Sequence, residues 1–363
     1  MTNALPQPQL RQFRPSAARN AHLQTIIANT LRRAPVRYHR RERLELDDGD
    51  FLDLDWLDHP AARGIAVVFH GLGGNSYAPY VCGAASSLFE AGFSVAAVNF
   101  RGCSGVPNRL PRGYHCGATD DALRVVQALR PRTSGPLVAV GFSLGGNVLA
   151  RAMGEWGDDA LVDAAVAVAA PLDLHAAIQT LDRGLSRGYQ QFLLVRLKAH
   201  LWPKRRILAQ VVDMDAAMRC ASFRAFDDLV TAPLHGYNSA LDYWTRASAR
   251  PLLPQVRRPL LLLHAMDDPF MPPSVLPGAG EASEWVTVHT ERHGGHVGFL
   301  GAGGAGQPVW WLEHELADWL RRACVTPVGG TGLTPRVQSL LGALKGVDND
   351  ETAYRRYLET KLR

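Results

Sequence analysis

The chain has 363 residues, of which 47% are hydrophobic and 20% are charged, and its formal net charge is +5. This apolar content is ordinary for a globular protein and excludes a chain that is disordered throughout. No apolar run reaches the roughly 18 residues of a membrane-spanning helix. The N-terminal residues contain arginines but no apolar block, so we expect no secretory signal.

The positive charge is concentrated near the N-terminus. Eight arginines precede the first acidic residue, Glu42, whereas residues 42–363 contain 31 basic and 34 acidic residues. We therefore expect residues 1–43 to form a basic arm, solvated but partly packed on an acidic body, and we expect no nucleic-acid partner. The five cysteines are scattered and contain no Cys-x-x-Cys pair, which favours a reducing compartment and a cytoplasmic location.

Short apolar segments alternate with helical patterns along most of the chain. A predicted hairpin, 44–46 with 51–57, comes first, and six apolar segments typical of strands buried on both faces follow it. These segments are Ile65–Phe69, Ser94–Phe100, Leu137–Phe142, Ala164–Ala170, Pro259–His264 and Trp285–His289. Helical spacing of apolar residues marks Tyr80–Glu90, Asp120–Leu129, Gly145–Glu155 and Pro308–Arg322. The alternation predicts an α/β fold, a mostly parallel doubly wound sheet with helices on both faces.

This alternation is interrupted between about residues 173 and 254. The segment has helical patterns and no strong strand, so we expect it to be a helical cap insertion in a domain that spans residues 44–324. An insertion between strands of such a sheet lies at their carboxyl ends, where these folds bind ligands. Residues 325–363 are expected to form a peripheral C-terminal appendage with two short helices, over 334–344 and 351–362.

The clearest chemical signal is Gly141-Phe-Ser143-Leu144-Gly145, which follows one predicted strand and opens a predicted helix. Gly-x-Ser-x-Gly in this context is typical of a nucleophile elbow, a sharp turn that exposes the serine hydroxyl. Side chains at the two flanking glycines would collide with the neighbouring strand and helix. The N–H group of Leu144 lies at the start of the helix and is a candidate oxyanion donor.

A serine nucleophile needs a base and a group that orients the base, in the chain order serine, acid, histidine. Asp267 and Asp268 follow a late predicted strand, and their spacing from its end and from the next proline favours Asp268, with Asp267 as the alternative. His296 follows two glycines after the last strand and is the predicted base, with His293 and His289 as alternatives. A metal site of these three histidines is disfavoured, because a Gly-Gly loop does not place them on one helix face.

The loop after strand 65–69 reads His70-Gly-Leu72-Gly-Gly-Asn75. Its glycines allow the Leu72 N–H to point into the site as a second oxyanion donor. The loop does not fit a dinucleotide fingerprint, because Ser76 stands where the third glycine belongs and no acid ends the following strand. We expect neither a cofactor nor a metal.

Together these motifs resemble the α/β-hydrolase superfamily and, more narrowly, its YheT-like branch (AB hydrolase family 4). The stretches that carry the narrower resemblance are Asn20–Thr25, Leu46–Phe51, His70–Asn75, Asn99–Gly105, Gly141–Asn147, Phe226–Gly236, Asp267–Phe270 and Gly294–Phe299. The resemblance covers about residues 12–323. It implies a serine hydrolase of short- to medium-chain carboxylic esters, with Ser143, Asp268 and His296 at the triad positions.

Three functions stay open at this point. The first is an esterase for a small-molecule or lipid ester, and the second is an acyltransferase that passes the acyl group to an alcohol. The third is a lipid- or membrane-binding module, because seven basic residues between Arg183 and Arg206 are mixed with apolar residues and no acid. The alternative for this stretch is a cap helix whose apolar side covers the pocket. Peripheral membrane contact through the cap is thus one expectation, and no protein partner is expected.

Overall fold

The computed structural model describes residues 8–16, 19–30, 32, 36–302 and 308–324. The strands in these residues are β1 (Arg40–Glu45), β2 (Phe51–Leu57), β3 (Gly64–Phe69), β4 (Phe93–Asn99), β5 (Leu137–Phe142), β6 (Ala164–Val168), β7 (Leu260–Ala265), β8 (Val286–Glu291), β9 (Leu300–Ala302) and β10 (Pro308–Trp310). The α-helices are α1 (Ala21–Thr30), α2 (Pro79–Glu90), α3 (Thr119–Leu129), α4 (Leu144–Trp156), α5 (Leu174–Leu181), α6 (Ser186–Leu201), α7 (Arg205–Leu208), α8 (Met214–Arg219), α9 (Phe223–Phe226), α10 (Ala232–His235), α11 (Ala240–Ala247) and α12 (Trp311–Ala323).

An eight-stranded sheet organises the described residues, with the strand order β1-β2-β4-β3-β5-β6-β7-β8. The strands from β4 to β8 in this order run parallel, whereas β2 pairs antiparallel with β4 and with β1. Strands β3, β5, β6 and β7 are buried along their whole length. Continuous apolar burial is the pattern of a sheet covered on both sides, so the predicted α/β class is confirmed.

Helices cover both faces of the sheet. Val148 and Leu149 of α4 lie in one apolar cluster with Val125 of α3. On the other face, Leu88 of α2 and Trp319 of α12 belong to a second cluster. The sheet is therefore a central layer between two helical layers, and its carboxyl edge remains available for the loops that carry polar residues.

Three predicted elements differ from the structure. The first strand of the hairpin, predicted at 44–46, is β1 at Arg40–Glu45 and so begins within the predicted arm. The strand predicted at 285–289 is not buried on both faces, because β8 is the edge of the sheet and its residues are partly or fully exposed. The helix predicted from Pro308 begins at Trp311, because residues 308–310 pair with β9 as strand β10. Strands of three residues are too short to produce a periodic apolar pattern.

The described residues of the basic arm are folded against the domain. Phe13 is buried, and its ring lies 5.1 Å from Trp311 and 6.0 Å from Phe299. The Arg32 guanidinium, expected to be solvated, is buried 3.0 Å from the carboxylate of Glu313. Ion pairs to acidic residues also form at Arg11 with Glu315, Arg40 with Asp58, and Arg41 with Asp55.

The chain between β6 and β7 is helical wherever a regular element occurs, from α5 to α11. No helix of the described residues has the length and apolar character needed to cross a membrane. The expected appendage at 325–363 lies outside the described residues, as do residues 1–7, 17–18, 31 and 33–35 of the expected arm.

Candidate active site

Ser143 occupies the sharp turn between β5 and α4. Its φ of 51° and ψ of −118° lie in a region that residues other than glycine rarely adopt. A methyl group at Gly141 would come within 2.3 Å of the Gly145 carbonyl oxygen, and one at Gly145 within 2.6 Å of the His70 carbonyl oxygen. Both collisions that the sequence predicted are therefore present, and they explain why glycine is needed on each side of the serine.

The backbone N–H groups of Leu72 and Leu144, both close to the serine, have no hydrogen-bond acceptor among the described residues. The N–H groups that flank Leu72 are occupied, since Gly71 donates to Tyr80 Oη at 3.0 Å and Gly73 donates to Tyr114 Oη at 2.8 Å. A methyl group at Gly71 would lie 3.1 Å from the serine Cβ, so this loop packs directly on the elbow. The two unpaired donors thus belong to the two backbone segments that meet at the serine.

His70 holds the loop that carries Leu72. Its Nε2 accepts the Phe100 N–H at 3.2 Å, so its Nδ1 carries the proton and donates to the Gly71 carbonyl oxygen at 2.7 Å. Burial lowers the pKa of His70 to about 4, so the ring is neutral near pH 7. His70 belongs to the motif at residues 70–75, but the sequence indicated no role for its side chain.

The two adjacent aspartates have different partners. Asp268 Oδ2 accepts a hydrogen bond from His296 Nδ1 at 2.9 Å, and both side chains are buried. Asp267 instead accepts the Gly295 N–H at 2.9 Å and contacts His293 Nδ1 at 3.2 Å. The structure therefore brings Asp268 to the imidazole of His296 and Asp267 to the backbone of the same loop.

The histidines of this region do not converge on one point. His289, the other alternative base, contacts Glu291 at 2.8 Å, so each of the three histidines faces a different carboxylate. Within the described ranges, no group of three or more histidine, cysteine, aspartate or glutamate side chains could hold a metal ion.

Ser143 and His296 are not hydrogen-bonded to each other in this structure. The serine hydroxyl and His296 Nε2 lack a partner among the described residues, and both atoms are accessible to solvent. Phe270 connects the two, because its ring stacks on the imidazole at 3.9 Å and lines the same pocket as the serine. Contacts between a nucleophile and its base are often long in the absence of substrate.

The pocket at the serine has a cavity volume of about 150 Å³ and is open to solvent at its mouth. Leu72 and Leu144 line it together with Ser143. Apolar side chains between β6 and β7 form much of the remaining wall: Leu174, Ile178, Leu193, Leu197, Phe226 and Leu234. A wall of this kind favours the aliphatic part of a ligand.

A buried lysine joins the helical chain between β6 and β7 to the loop at residues 108–112. Lys204 Nζ donates to Asn108 Oδ1 at 2.7 Å and to the carbonyl oxygens of residues 110–112. Burial lowers the pKa of Lys204 to about 8. These four contacts fix one end of the pocket wall, and the sequence gave no reason to expect them.

Helix α1 packs against the loop that carries His296. Thr25 Oγ1 accepts the backbone N–H of His296 at 2.9 Å, and the Gln24 side chain bonds to both the N–H and the carbonyl oxygen of Leu300. A methyl group at Gly295 would come within 2.4 Å of a carbonyl oxygen of α1. The Asn20–Thr25 stretch was part of the family resemblance, but nothing in the sequence indicated that it contacts this loop.

A row of four aromatic rings ends at the candidate base. His22 of α1 stacks on Tyr189 of α6 at 5.7 Å, Tyr189 lies 4.9 Å from Phe270, and Phe270 stacks on His296. His22 Nδ1 is also 3.0 Å from the Tyr189 hydroxyl. Because these residues come from four separate parts of the chain, no local sequence pattern could have predicted the row.

Comparisons with known proteins agree with this fold. A model of the alpha/beta hydrolase fold family matches residues 67–302. The candidate esterase YheT of Escherichia coli (strain K12) is 42% identical over 309 residues, which cover 83% of this chain and 90% of that protein. The phospholipase ABHD3 of Mus musculus is 30% identical over 288 residues, which cover 76% of this chain and 70% of that protein. The chain belongs to the α/β-hydrolase family, and within it to the YheT-like branch.

A solved structure supports the fold. The esterase Pf2001 of Pyrococcus furiosus superposes with a TM-score of 0.52 at 15% identity, covering 79% of this chain and 91% of that one. At this level of identity the likeness concerns the fold alone.

Proposed function

We propose that the protein hydrolyses carboxylic esters through an acyl-enzyme formed on Ser143. Its class is that of an esterase-type α/β hydrolase. The observation that carries the proposal is the 2.9 Å hydrogen bond between the buried Asp268 and His296, next to a pocket that contains a strained and accessible serine. A nucleophile, a base and a group that orients the base are the three parts that acyl transfer requires.

In the proposed reaction the Ser143 hydroxyl attacks the ester carbonyl while His296 Nε2 accepts its proton. Asp268 holds the ring through the Nδ1–H bond and stabilises the imidazolium that forms. The N–H groups of Leu72 and Leu144 donate to the oxyanion. The imidazolium then protonates the departing alcohol, and water attacks the acyl-enzyme with His296 again as the base, releasing the carboxylic acid.

The apolar wall of the pocket favours acyl chains of short to medium length. Each buried methylene contributes about 0.8 kcal/mol, so kcat/KM should rise about threefold to fourfold per methylene until the pocket is filled. Longer chains should give no further gain because their ends stay in water. The alcohol part of the ester is free to be small or lipid-like, since the pocket is open at its mouth.

A chain-length series of p-nitrophenyl esters, from acetate to dodecanoate, tests the proposal. We expect the Ser143→Ala protein to lose at least about 10⁴-fold in kcat/KM on every ester. The matched control is Ser86→Ala, since the Ser86 hydroxyl contacts only the exposed Glu90 of its own helix. Hydrolysis by the Ser143→Ala protein at the parent rate would overturn the proposal.

A covalent probe gives a readout that does not depend on the natural substrate. The Ser143 oxygen should attack the phosphorus of a fluorophosphonate and displace fluoride into solvent. Mass spectrometry should then find a phosphonyl group on the peptide that contains this serine. The esters should also be assayed with glycerol present. Formation of acyl glycerol in place of free acid would identify the acyltransferase alternative.

A further inference from the structure

Helix α6 is apolar on two opposite faces. Its inner face lines the pocket through Leu193, Leu197 and Leu201. Its outer face presents Phe192 and Val195, whose exposed fractions are 57% and 66%. The sequence left two roles open for this stretch, covering the pocket and contacting a membrane surface. The inner side of α6 fits the first role, and its outer side fits the second.

The outer apolar face continues beyond both ends of the helix. Leu185, just before α6, is 78% exposed, and Trp202, just after it, is 57% exposed. At 100° per residue these four side chains fall within about one third of the helix circumference. We use the name α6 outer face for these four residues together with two exposed arginines beside them, Arg187 of α6 and Arg206 of α7.

Unpaired positive charge surrounds this face. Residues 183–212 contain seven basic residues and no acidic one. Arg183, Arg187 and Arg206 form no ion pair with a carboxylate of the described residues, and Arg205 lies over the Trp202 ring at 4.7 Å. The exposed apolar and aromatic side chains are poorly hydrated in water, and the arginines beside them are free to bind anions. Together they fit a boundary between anionic headgroups and hydrocarbon.

We propose that the α6 outer face docks on the surface of an anionic lipid bilayer. The apolar side chains would enter the boundary between headgroups and acyl chains, while the arginines contact lipid phosphates. Because the inner face of α6 lines the pocket, the bilayer would then lie against the outside of the pocket wall. This inference goes beyond the proposed ester hydrolysis and does not depend on it.

Charge argues against two other occupants of this face. A second copy of the chain, docked through the same face, would bring two segments with seven cations each into contact. The C-terminal residues 325–363 contain six basic and four acidic residues, so they have no negative net charge that would complement the arginines. An anionic surface matches both the apolar and the cationic part of the α6 outer face.

Vesicle cosedimentation of the full-length Ser143→Ala protein tests the proposal without lipid turnover. One set of vesicles contains phosphatidylcholine alone, and the other adds about 30% phosphatidylglycerol, which supplies the negative surface charge. We expect the protein to sediment with the anionic vesicles and not with the zwitterionic ones. Raising the salt from about 50 mM to about 500 mM should weaken binding, because it shortens the Debye length.

Two double variants separate the apolar and the cationic contributions. Arg187→Gln with Arg206→Gln should lower the partition coefficient by about 20-fold, since each cation near an anionic surface contributes about fivefold. Phe192→Ser with Val195→Ser should lower it at least about tenfold. The matched controls, Arg63→Gln before β3 and Val288→Ser on the edge strand β8, should bind as the parent does. Circular dichroism and thermal unfolding check that each variant is folded.

Three results would overturn the proposal. They are failure of the parent to bind any vesicle, equal binding to both kinds of vesicle, and equal binding by the folded double variants and the parent. Size-exclusion chromatography adds a fourth. A dimer that dissociates in the Phe192→Ser and Val195→Ser variant would assign the α6 outer face to contact between copies of this chain.

Discussion

Two neighbouring carboxylates that follow β7 have different hydrogen-bond partners, and this difference can be tested by substitution. Asp268 bonds to the imidazole of His296, whereas Asp267 bonds to the backbone N–H of Gly295. We expect Asp268→Asn to lower kcat by about 10³–10⁴-fold, because an amide in this place favours the wrong tautomer of the ring. Asp267→Asn should lower kcat by about tenfold or less, since it disturbs only the loop. Steady-state hydrolysis of one p-nitrophenyl ester measures both, and equal losses would contradict the assignment.

Some individual residues of the candidate site could be predicted from the sequence, and others could not. The glycines around Ser143 could be predicted, because the sharp turn of a nucleophile elbow excludes other residues on steric grounds. Asp268 was favoured over Asp267 by its spacing from the end of the strand and from the next proline, within the chain order serine, acid, histidine. The hydroxyls of Tyr80 and Tyr114, which occupy the N–H groups on either side of Leu72, could not. Both tyrosines come from other parts of the chain, and no local pattern indicates which backbone group they meet.

Among the elements, α1 should act on catalysis through the loop it contacts. Thr25→Val removes the acceptor of the buried His296 N–H and should lower kcat by about tenfold, because the ring loses its fixed position. Thr25→Ser keeps the acceptor and should stay within about twofold of the parent. Thr25 is a positioning residue in this account, so KM should change little. Comparing kcat and KM separately for the two variants, together with their melting temperatures, measures this.

A purely structural role for Thr25 predicts another result. In that case Thr25→Val would lower the melting temperature, but its kcat at a temperature where it is fully folded would match that of Thr25→Ser. That outcome would contradict the positioning role.

The same helix shows why some elements could not be predicted. Strands β2 and β5 could be predicted with their observed bounds, because each is a continuous apolar or alternating segment bounded by turn residues. Helix α1 contains Thr25, Ile26 and Ile27, β-branched residues with low helix propensity, and was expected to be part of an arm. Its contacts with the loop at 295–300 stabilise it, as tertiary packing does for most short helices.

For the whole molecule, the positions of the charged residues show what the net charge of +5 does not, namely which arginines form ion pairs within the fold. Arginines that precede residue 42 pair with carboxylates farther along the chain, and Arg32 and Glu313 are both buried. Removing one partner of a buried pair leaves an uncompensated charge. The basic N-terminal residues are therefore part of how the domain folds, whereas the unpaired arginines of the proposed lipid contact lie on and beside α6.

Buried histidines should make the stability of the whole molecule depend on pH. Burial lowers the pKa of His264 and of His70 to about 4, and that of His235 to about 3. The unfolded chain, in which histidine has a pKa of about 6.5, takes up these protons first as the pH falls. The free energy of unfolding should therefore be highest above about pH 6.5 and decrease as the pH falls toward about 4. Burial also lowers the pKa of His115 and of His200, which act in the same direction. Asp227 acts in the opposite direction, because burial raises its pKa to about 6, as do Asp121 and Glu313, whose pKa values burial also raises.

A substitution in β7 isolates one of these histidines. His264 is 2% exposed, and its Nε2 is a buried atom without a partner among the described residues, so His264→Leu removes the titrating group from an apolar strand. Between pH 7 and pH 5 we expect the free energy of unfolding of this variant to fall about 2 kcal/mol less than that of the parent. Urea unfolding at the two pH values measures the difference, which is independent of any change in stability at pH 7. Replacement of the partly exposed His59 by leucine is the matched control for loss of a surface histidine. An unchanged pH dependence in His264→Leu would contradict the assignment of this dependence to His264.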